Sequence, residues 1–139
     1  MPTIRHNELT LQLPEGWEDG TQVTLIAPAD DNFRPNLIAS RDHVRPGTVL
    51  RSFAANQVLI LRRALKNYAL VEEAPARFGG IEGLLREQTF ESNGTPVAQV
   101  QFCFLAGQVV HTLTYTHLAS KLPQARKTAE GLFASVQVG

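Results

Sequence analysis

The chain contains 139 residues, of which 43% are hydrophobic, and its 13 basic and 13 acidic side chains give a formal net charge of +0. This length predicts a single globular domain, residues 1–139, whose core needs no metal or disulfide for stability. The neutral charge argues against nucleic acid or an anionic membrane surface as partner, and the single cysteine excludes an internal disulfide framework.

The start of the chain indicates where the protein is located. Residues Met1 to Glu8 are polar and contain no apolar stretch of the kind found in secretory signals. No apolar run later in the chain approaches the ~18 residues of a membrane-spanning helix. We therefore expect a cytoplasmic protein that is not inserted into a membrane.

The first predicted strand lies close to the start of the chain. Leu9, Leu11 and Leu13 alternate with polar residues, which is the pattern of a strand with one apolar face. Pro14 opens a turn signal that ends this strand. Trp17 follows, and we expect its large ring to be buried as an anchor of the core or of its edge.

Two further strands are predicted over Thr21 to Ala27 and Leu37 to Asp42. In the first of them, Val23 and Leu25 share one face and Thr24 lies on the other. A shift of one residue in the strand register would exchange these faces, so the sequence alone leaves both arrangements open.

The longest helix is predicted over Val49 to Lys66, with Thr48 as its N-cap. Its apolar side chains cover about half of the circumference, which is more than one contact with a sheet requires. Gln57 lies near the middle of this apolar surface. Its amide is either bonded to backbone inside the core or presented to a partner.

Four strands and a second helix are predicted in the rest of the chain. The strands are Tyr68 to Phe78, Ile81 to Phe90, Val97 to Leu105 and Val109 to His117, and the helix is Pro123 to Val136. Short turn signals between the strands favour an antiparallel meander. The element order therefore predicts an α+β fold in which two main helices pack on an antiparallel sheet.

The third strand of this meander has two unlike faces. Val100, Phe102 and Phe104 share one face, and we expect a helix to cover it. Gln99 and Gln101 share the other face, which is left for solvent or for a partner.

No catalytic or metal-binding constellation is recognisable in the sequence. His111 and His117 are about 20 Å apart along one predicted strand, which is too far for both to bind one metal directly. Cys103 has no neighbouring histidine, and an enzyme would require it to cluster with His111 or an acid. We therefore expect a binding protein that is not an enzyme and uses no cofactor or metal.

The two singled-out amides, Gln57 and Gln101, indicate what such a protein could bind. An apolar helix held outside a membrane needs its side chains covered, and it exposes free N–H and C=O groups where it bends or ends. An amide can donate and accept hydrogen bonds, and it costs less to desolvate than a charged group.

Several residues, taken in order, resemble a known family. They are Leu13-Pro14-x-x-Trp17, Ser40-Arg41-Asp42 on the third strand, Gln57 on the long helix and Gln101 on a late strand. This ordered set is similar to the DcrB-related proteins, and within them to the Eag-type chaperones of type VI secretion. The resemblance extends over nearly the whole chain.

The resemblance implies a Mog1/PsbP-like sandwich around a curved antiparallel sheet. It also implies a cytosolic homodimer that holds the N-terminal transmembrane helices of a secreted effector and helps to load the effector onto the spike protein. Gln57 and Gln101 match glutamines that hydrogen-bond to the bound helices. The residues that match the lining or border of the groove are Ile38, Ser40, Leu61, Leu65 and Val97. Gln22 and Thr24 occupy groove positions that are often apolar in these chaperones.

A second function fits the same fold. Gln22, Thr24 and Gln99 would suit a wetter interface, such as one between an adaptor or regulator and a folded protein. A folded partner, together with no affinity for apolar peptides, would favour this alternative.

Overall fold

The computed structural model describes residues 2–139, which form eight strands, two α-helices and one 3₁₀ turn. The strands are β1 (Thr3–His6), β2 (Leu9–Gln12), β3 (Val23–Ile26), β4 (Asn36–His43), β5 (Lys66–Phe78), β6 (Ile81–Ser92), β7 (Thr95–Ala106) and β8 (Val109–Leu118). The helices are α1 (Leu50–Ala64) and α2 (Leu122–Ala134), and the 3₁₀ turn is Ala119–Lys121. Neither helix of the described chain is long and apolar enough to cross a membrane.

Six strands form one open antiparallel sheet in the order β3-β4-β8-β7-β6-β5. Strands β5 to β8 form the predicted meander, and Asn93 and Gly94 make its β6–β7 turn with φ values of 51° and 80°. Helix α1 carries the chain from β4, near one edge of the sheet, to β5 at the other. The predicted α+β fold is confirmed.

The main core lies between the sheet and α2. Val100, Phe102 and Phe104 of β7 are buried here together with Phe133 of α2, as predicted from the alternation along β7. The Phe102 ring lies 5.0 Å from the Phe78 ring and 5.8 Å from the Phe133 ring, measured between centroids. The aromatic face is therefore the one that the C-terminal helix covers.

Helix α1 packs on the opposite face of the sheet, mainly against β5 and β6. Ala54 and Val58 are its buried side chains. The predicted N-cap at Thr48 is wrong, because Val49 occupies the N-cap position and the Thr48 hydroxyl donates to the Arg45 carbonyl instead.

The N-terminal region differs from its prediction. Strand β1 was not anticipated, and it pairs with β2 as a separate two-stranded sheet. The expectation that Trp17 is buried is wrong, since its side chain is 71% exposed. Trp17 lies between β2 and β3 in a segment without helix or strand, so no second layer covers its ring.

Gly83 of β6 lies where two strands and the aromatic core meet closely. A Cβ atom at this position would lie 2.2 Å from the Cys103 carbonyl oxygen and 2.8 Å from a Phe102 ring carbon. We expect Gly83→Ala to lower the free energy of unfolding by about 1–3 kcal/mol, because the backbone of β7 must move to make room.

Chemical denaturation measures this effect, and Gly131→Ala in α2 is the matched control. No atom lies within 4 Å of a Cβ built at Gly131, so alanine there should leave stability unchanged or raise it by up to about 1 kcal/mol. Equal stability of the two variants would contradict the close approach at Gly83.

Candidate partner-binding groove

The sheet face that α1 touches is only partly covered. Residues at matching positions on five neighbouring strands form one row across this face, in the order Thr24, Ile38, Thr114, Gln101 and Arg86. Because α1 lies over β5 and β6, the β3, β4 and β8 end of this row remains outside the helix. Val23 and Leu25 pair with Ala39 and Leu37 on the α2 side, which settles the register question in favour of Thr24.

A cavity of about 240 Å³ lies between α1 and this sheet face. Gln57, Ile60 and Leu61 of the helix and Arg86 and Gln101 of the sheet line it. We call this cavity, together with the adjoining sheet residues Thr24, Ile38 and Thr114, the groove.

Arg86 is the central residue of the groove, and sequence analysis did not single it out. Its side chain is 4% exposed. Its Nε and Nη2 donate to the Gln101 Oε1 at 2.9 and 2.8 Å, and Nη2 also donates to the Gln57 Oε1 at 2.9 Å. Its Nη1 donates to the Ala54 carbonyl at 3.0 Å and lies 3.6 Å from the Glu73 Oε2. One buried guanidinium thus holds both glutamines that the sequence pointed to.

A second hydrogen-bond chain runs beside the first. The Tyr68 hydroxyl donates to the Gln88 Oε1 at 2.7 Å, the Gln88 Nε2 donates to the Gln99 Oε1 at 2.8 Å, and the Gln99 Nε2 donates to the Thr116 hydroxyl at 3.1 Å. Burial raises the pKa of Tyr68 further above neutral pH, so its phenol is protonated there and able to donate. The polar residues of β6, β7 and β8 therefore form an ordered network below the groove.

The sequence left two possibilities for Gln57, an amide bonded inside the core or an amide presented to a partner, and its surroundings agree in part with each. Its amide oxygen is satisfied from within the protein, although by a side chain rather than by backbone. The residue is nevertheless half-buried and lines the cavity. Ile60 and Leu59, on the same helix, are 57% and 58% exposed. Helix α1 thus carries more apolar surface than the core covers.

The predicted site residues are placed in three groups. Gln57, Leu61, Gln101, Ile38 and Thr24 lie in or beside the groove. Ser40 pairs with Thr112 one row further along the same face. Val97 is on this face but only 2% exposed, and Leu65 follows the end of α1 without lining the cavity that the described residues form.

The residues considered for catalysis are not brought together. Cys103 and His111 lie on opposite faces of the sheet, because Cys103 pairs with Thr112 and Phe104 pairs with His111. Burial raises the pKa of the Cys103 thiol and lowers the pKa of His111. Among residues 2–139, no three histidine, cysteine or acidic side chains are grouped as metal ligands.

Several solved structures share the fold, among them PA94 and LpqN. The chain is similar to PA94 from Pseudomonas aeruginosa, a protein of unknown function described as a candidate regulator, with a TM-score of 0.82 and 18% identity over 100% of this chain and 97% of that one. It is also similar to LpqN from Mycobacterium tuberculosis, which is involved in cell envelope biogenesis, with a TM-score of 0.55 and 17% identity over 88% and 85% of the two chains.

Sequence comparison gives the family. None of the curated proteins matches the chain. The DcrB family model matches residues 8–135, which include every strand of the six-stranded sheet and both helices. The chain therefore belongs to the DcrB family.

Proposed function

We propose that this protein is a cytoplasmic chaperone of the Eag type. It binds and shields the N-terminal transmembrane helices of a type VI secretion effector and helps to load that effector onto the spike protein. In this proposal it acts as a homodimer, without catalysis and without a cofactor. The observation that carries the proposal is the groove, where exposed apolar side chains of α1 border amides fixed by a buried arginine.

The groove offers the two things that an apolar helix needs outside a membrane. Ile60 and Leu61 supply apolar contact area beside the cavity. Gln57 and Gln101 supply uncharged hydrogen-bonding groups for backbone that lacks a partner. Because Arg86 holds both amides, a bound segment meets them already oriented, which lowers the entropy cost of binding.

The polar floor of the groove favours a second candidate function. Thr24, Thr114 and Thr116 lie on the open face together with Gln99, and such a surface also suits the wetter interface of an adaptor for a folded protein. This candidate predicts a folded partner and no affinity for apolar peptides.

We expect Ile60→Glu to reduce capture of an effector's N-terminal helical segment at least about tenfold, because the carboxylate must lose its water in an apolar contact. Co-expression of the tagged protein with that segment, followed by pull-down, measures the retained amount. In the same assay, the Gln57→Ala/Gln101→Ala variant tests whether the two amides contribute to binding of the segment. Capture equal to that of the wild type would exclude this role of the amides.

Leu59→Glu is the matched control, since Leu59 precedes Ile60 on α1, is equally exposed and does not line the cavity of the described residues. It should retain capture, and neither glutamate should lower stability appreciably. Absence of binding by the wild-type protein would overturn the proposed function. Equal loss of capture in both glutamate variants would show that the segment does not bind in the groove.

Light scattering tests whether the protein is a homodimer, and a measured mass of one chain would exclude the dimer.

A further inference from the structure

Across the sheet below the groove, each side-chain hydrogen bond has its donor on the β5–β6 side and its acceptor on the side of β8. Arg86 determines this donor-to-acceptor direction. A guanidinium has five N–H donors and no acceptor, so any amide in contact with it must present its oxygen. The Gln57 and Gln101 oxygens therefore face Arg86, and their NH₂ groups face away from it. Turning either amide around would place N–H against N–H beside a buried charge.

The hydrogen bonds from β7 to β8 keep this donor-to-acceptor direction. The Gln101 Nε2 donates to the Thr114 hydroxyl at 2.9 Å, so the hydroxyl oxygen is used as acceptor and its hydrogen is left to point elsewhere. The Gln88 Nε2 lies 3.3 Å from the Gln101 Oε1, which orients Gln88 as well. Through Gln99 the second chain ends in the same way, on the Thr116 hydroxyl.

The open side of the groove is consequently rich in hydrogen-bond donors. Along residues 2–139 the structure shows no acceptor for the Gln57 Nε2 or for the Thr114 and Thr116 hydroxyl hydrogens. On the same face, the Thr112 hydroxyl and the acceptor Glu73 Oε2 also lack a hydrogen-bond partner among these residues, but both atoms are buried and do not reach the open side. The Gln101 oxygen is already taken by Arg86 and Gln88.

We infer that the groove selects an apolar helix at a point where its backbone carbonyls lack N–H partners, such as its last turn or a proline break. This inference rests on the proposed function and deepens it. A helix exposes N–H groups at its start and C=O groups at its end. The outward Gln57 NH₂ can only donate, so it matches the end or the break and offers nothing to the start, whereas a threonine hydroxyl can serve either.

Two synthetic peptides test the inference. Both are Leu/Ala helices flanked by lysines, and they differ only in a central alanine or proline. Proline lacks the N–H that would bond to the carbonyl four residues earlier, so it frees one acceptor in an apolar segment. We expect the full-length protein to bind the proline peptide about tenfold more tightly, as measured by fluorescence anisotropy.

Three variants identify the source of this preference. Gln57→Met removes the outward donor and keeps the side-chain length, so the preference should fall to about one. Gln57→Glu keeps the bond to Arg86 but turns the outward group into an acceptor, so the preference should reverse. Gln12→Glu, on exposed β2, adds the same charge away from the groove and should leave the preference unchanged.

The possible results distinguish failure of the donor preference from failure of the proposed function. Equal binding of both peptides by the wild-type protein would overturn the donor preference and leave the proposed function standing. A proline preference that persists in Gln57→Glu would also overturn it, because peptide shape would then be the cause. Absence of binding by both peptides would overturn the proposed function and this inference together.

Discussion

Replacing Arg86 with methionine is expected to lower the free energy of unfolding by about 3–5 kcal/mol, the usual cost of removing one partner from a buried ionic contact. Methionine fills a similar volume but donates no hydrogen bond. The Ala54 carbonyl and the two amide oxygens then lose a donor, and Glu73 loses its counter-charge. Urea denaturation followed by circular dichroism measures the change.

Removing the remaining charge provides the control for this prediction. Glu73 is partly exposed, so Glu73→Gln alone should cost less than Arg86→Met. In the Arg86→Met background, Glu73→Gln should recover part of the loss, because it removes a carboxylate that has no partner. A loss below about 1 kcal/mol for Arg86→Met would show that water replaces the guanidinium and that the network does not stabilise the fold.

We expect a loss of similar size from Phe102→Ala, about 3–5 kcal/mol, but for a different reason. The Phe102 ring is fully buried and lies 5.0–5.8 Å from the rings of Phe78, Phe104 and Phe133, measured between centroids. Alanine would leave a cavity among three rings that are fixed by the sheet and α2. Differential scanning calorimetry, or the same urea titration, measures the loss.

Leu105→Ala is the control on the same strand. Leu105 is exposed, so truncation should cost less than about 1 kcal/mol. If Phe102→Ala were tolerated as well as Leu105→Ala, the aromatic cluster would not be the main source of stability. Because Phe102 lies on the α2 side of the sheet, any Phe102→Ala protein that still folds should retain the groove.

The sequence predicted the sheet well where alternation is strict. From Ala98 to Phe102 of β7, apolar side chains alternate with the amides of Gln99 and Gln101, so a single strand indicated both the covered face and the open face. The Asn93–Gly94 pair requires positive φ angles, and this requirement fixed the hairpin that follows β6. These signals are local, and the structure preserves them.

Features that depend on distant partners could not be predicted. An arginine within a strand ordinarily indicates exposure, and Arg86 is buried only because α1 brings Gln57 and the Ala54 carbonyl over it. Arg86 pairs with Gln101, so it lies on the sheet face that carries the two β7 glutamines. The alternation of residues along the strands does not reveal which part of that face α1 covers. Trp17 was misplaced for the same reason, since burial of a large ring requires a second layer that the sequence does not specify.

The strand order has a consequence for when the groove can form. Strand β4 joins the sheet only through β8, with Asn36 opposite Thr116 and His43 opposite Val109. During synthesis, β3 and β4 therefore leave the ribosome with only each other to pair with. The part of the groove formed by Thr24 and Ile38 joins the rest of the sheet only after β8 has emerged. A nascent chain therefore lacks the finished groove that the proposed function requires for binding an apolar segment.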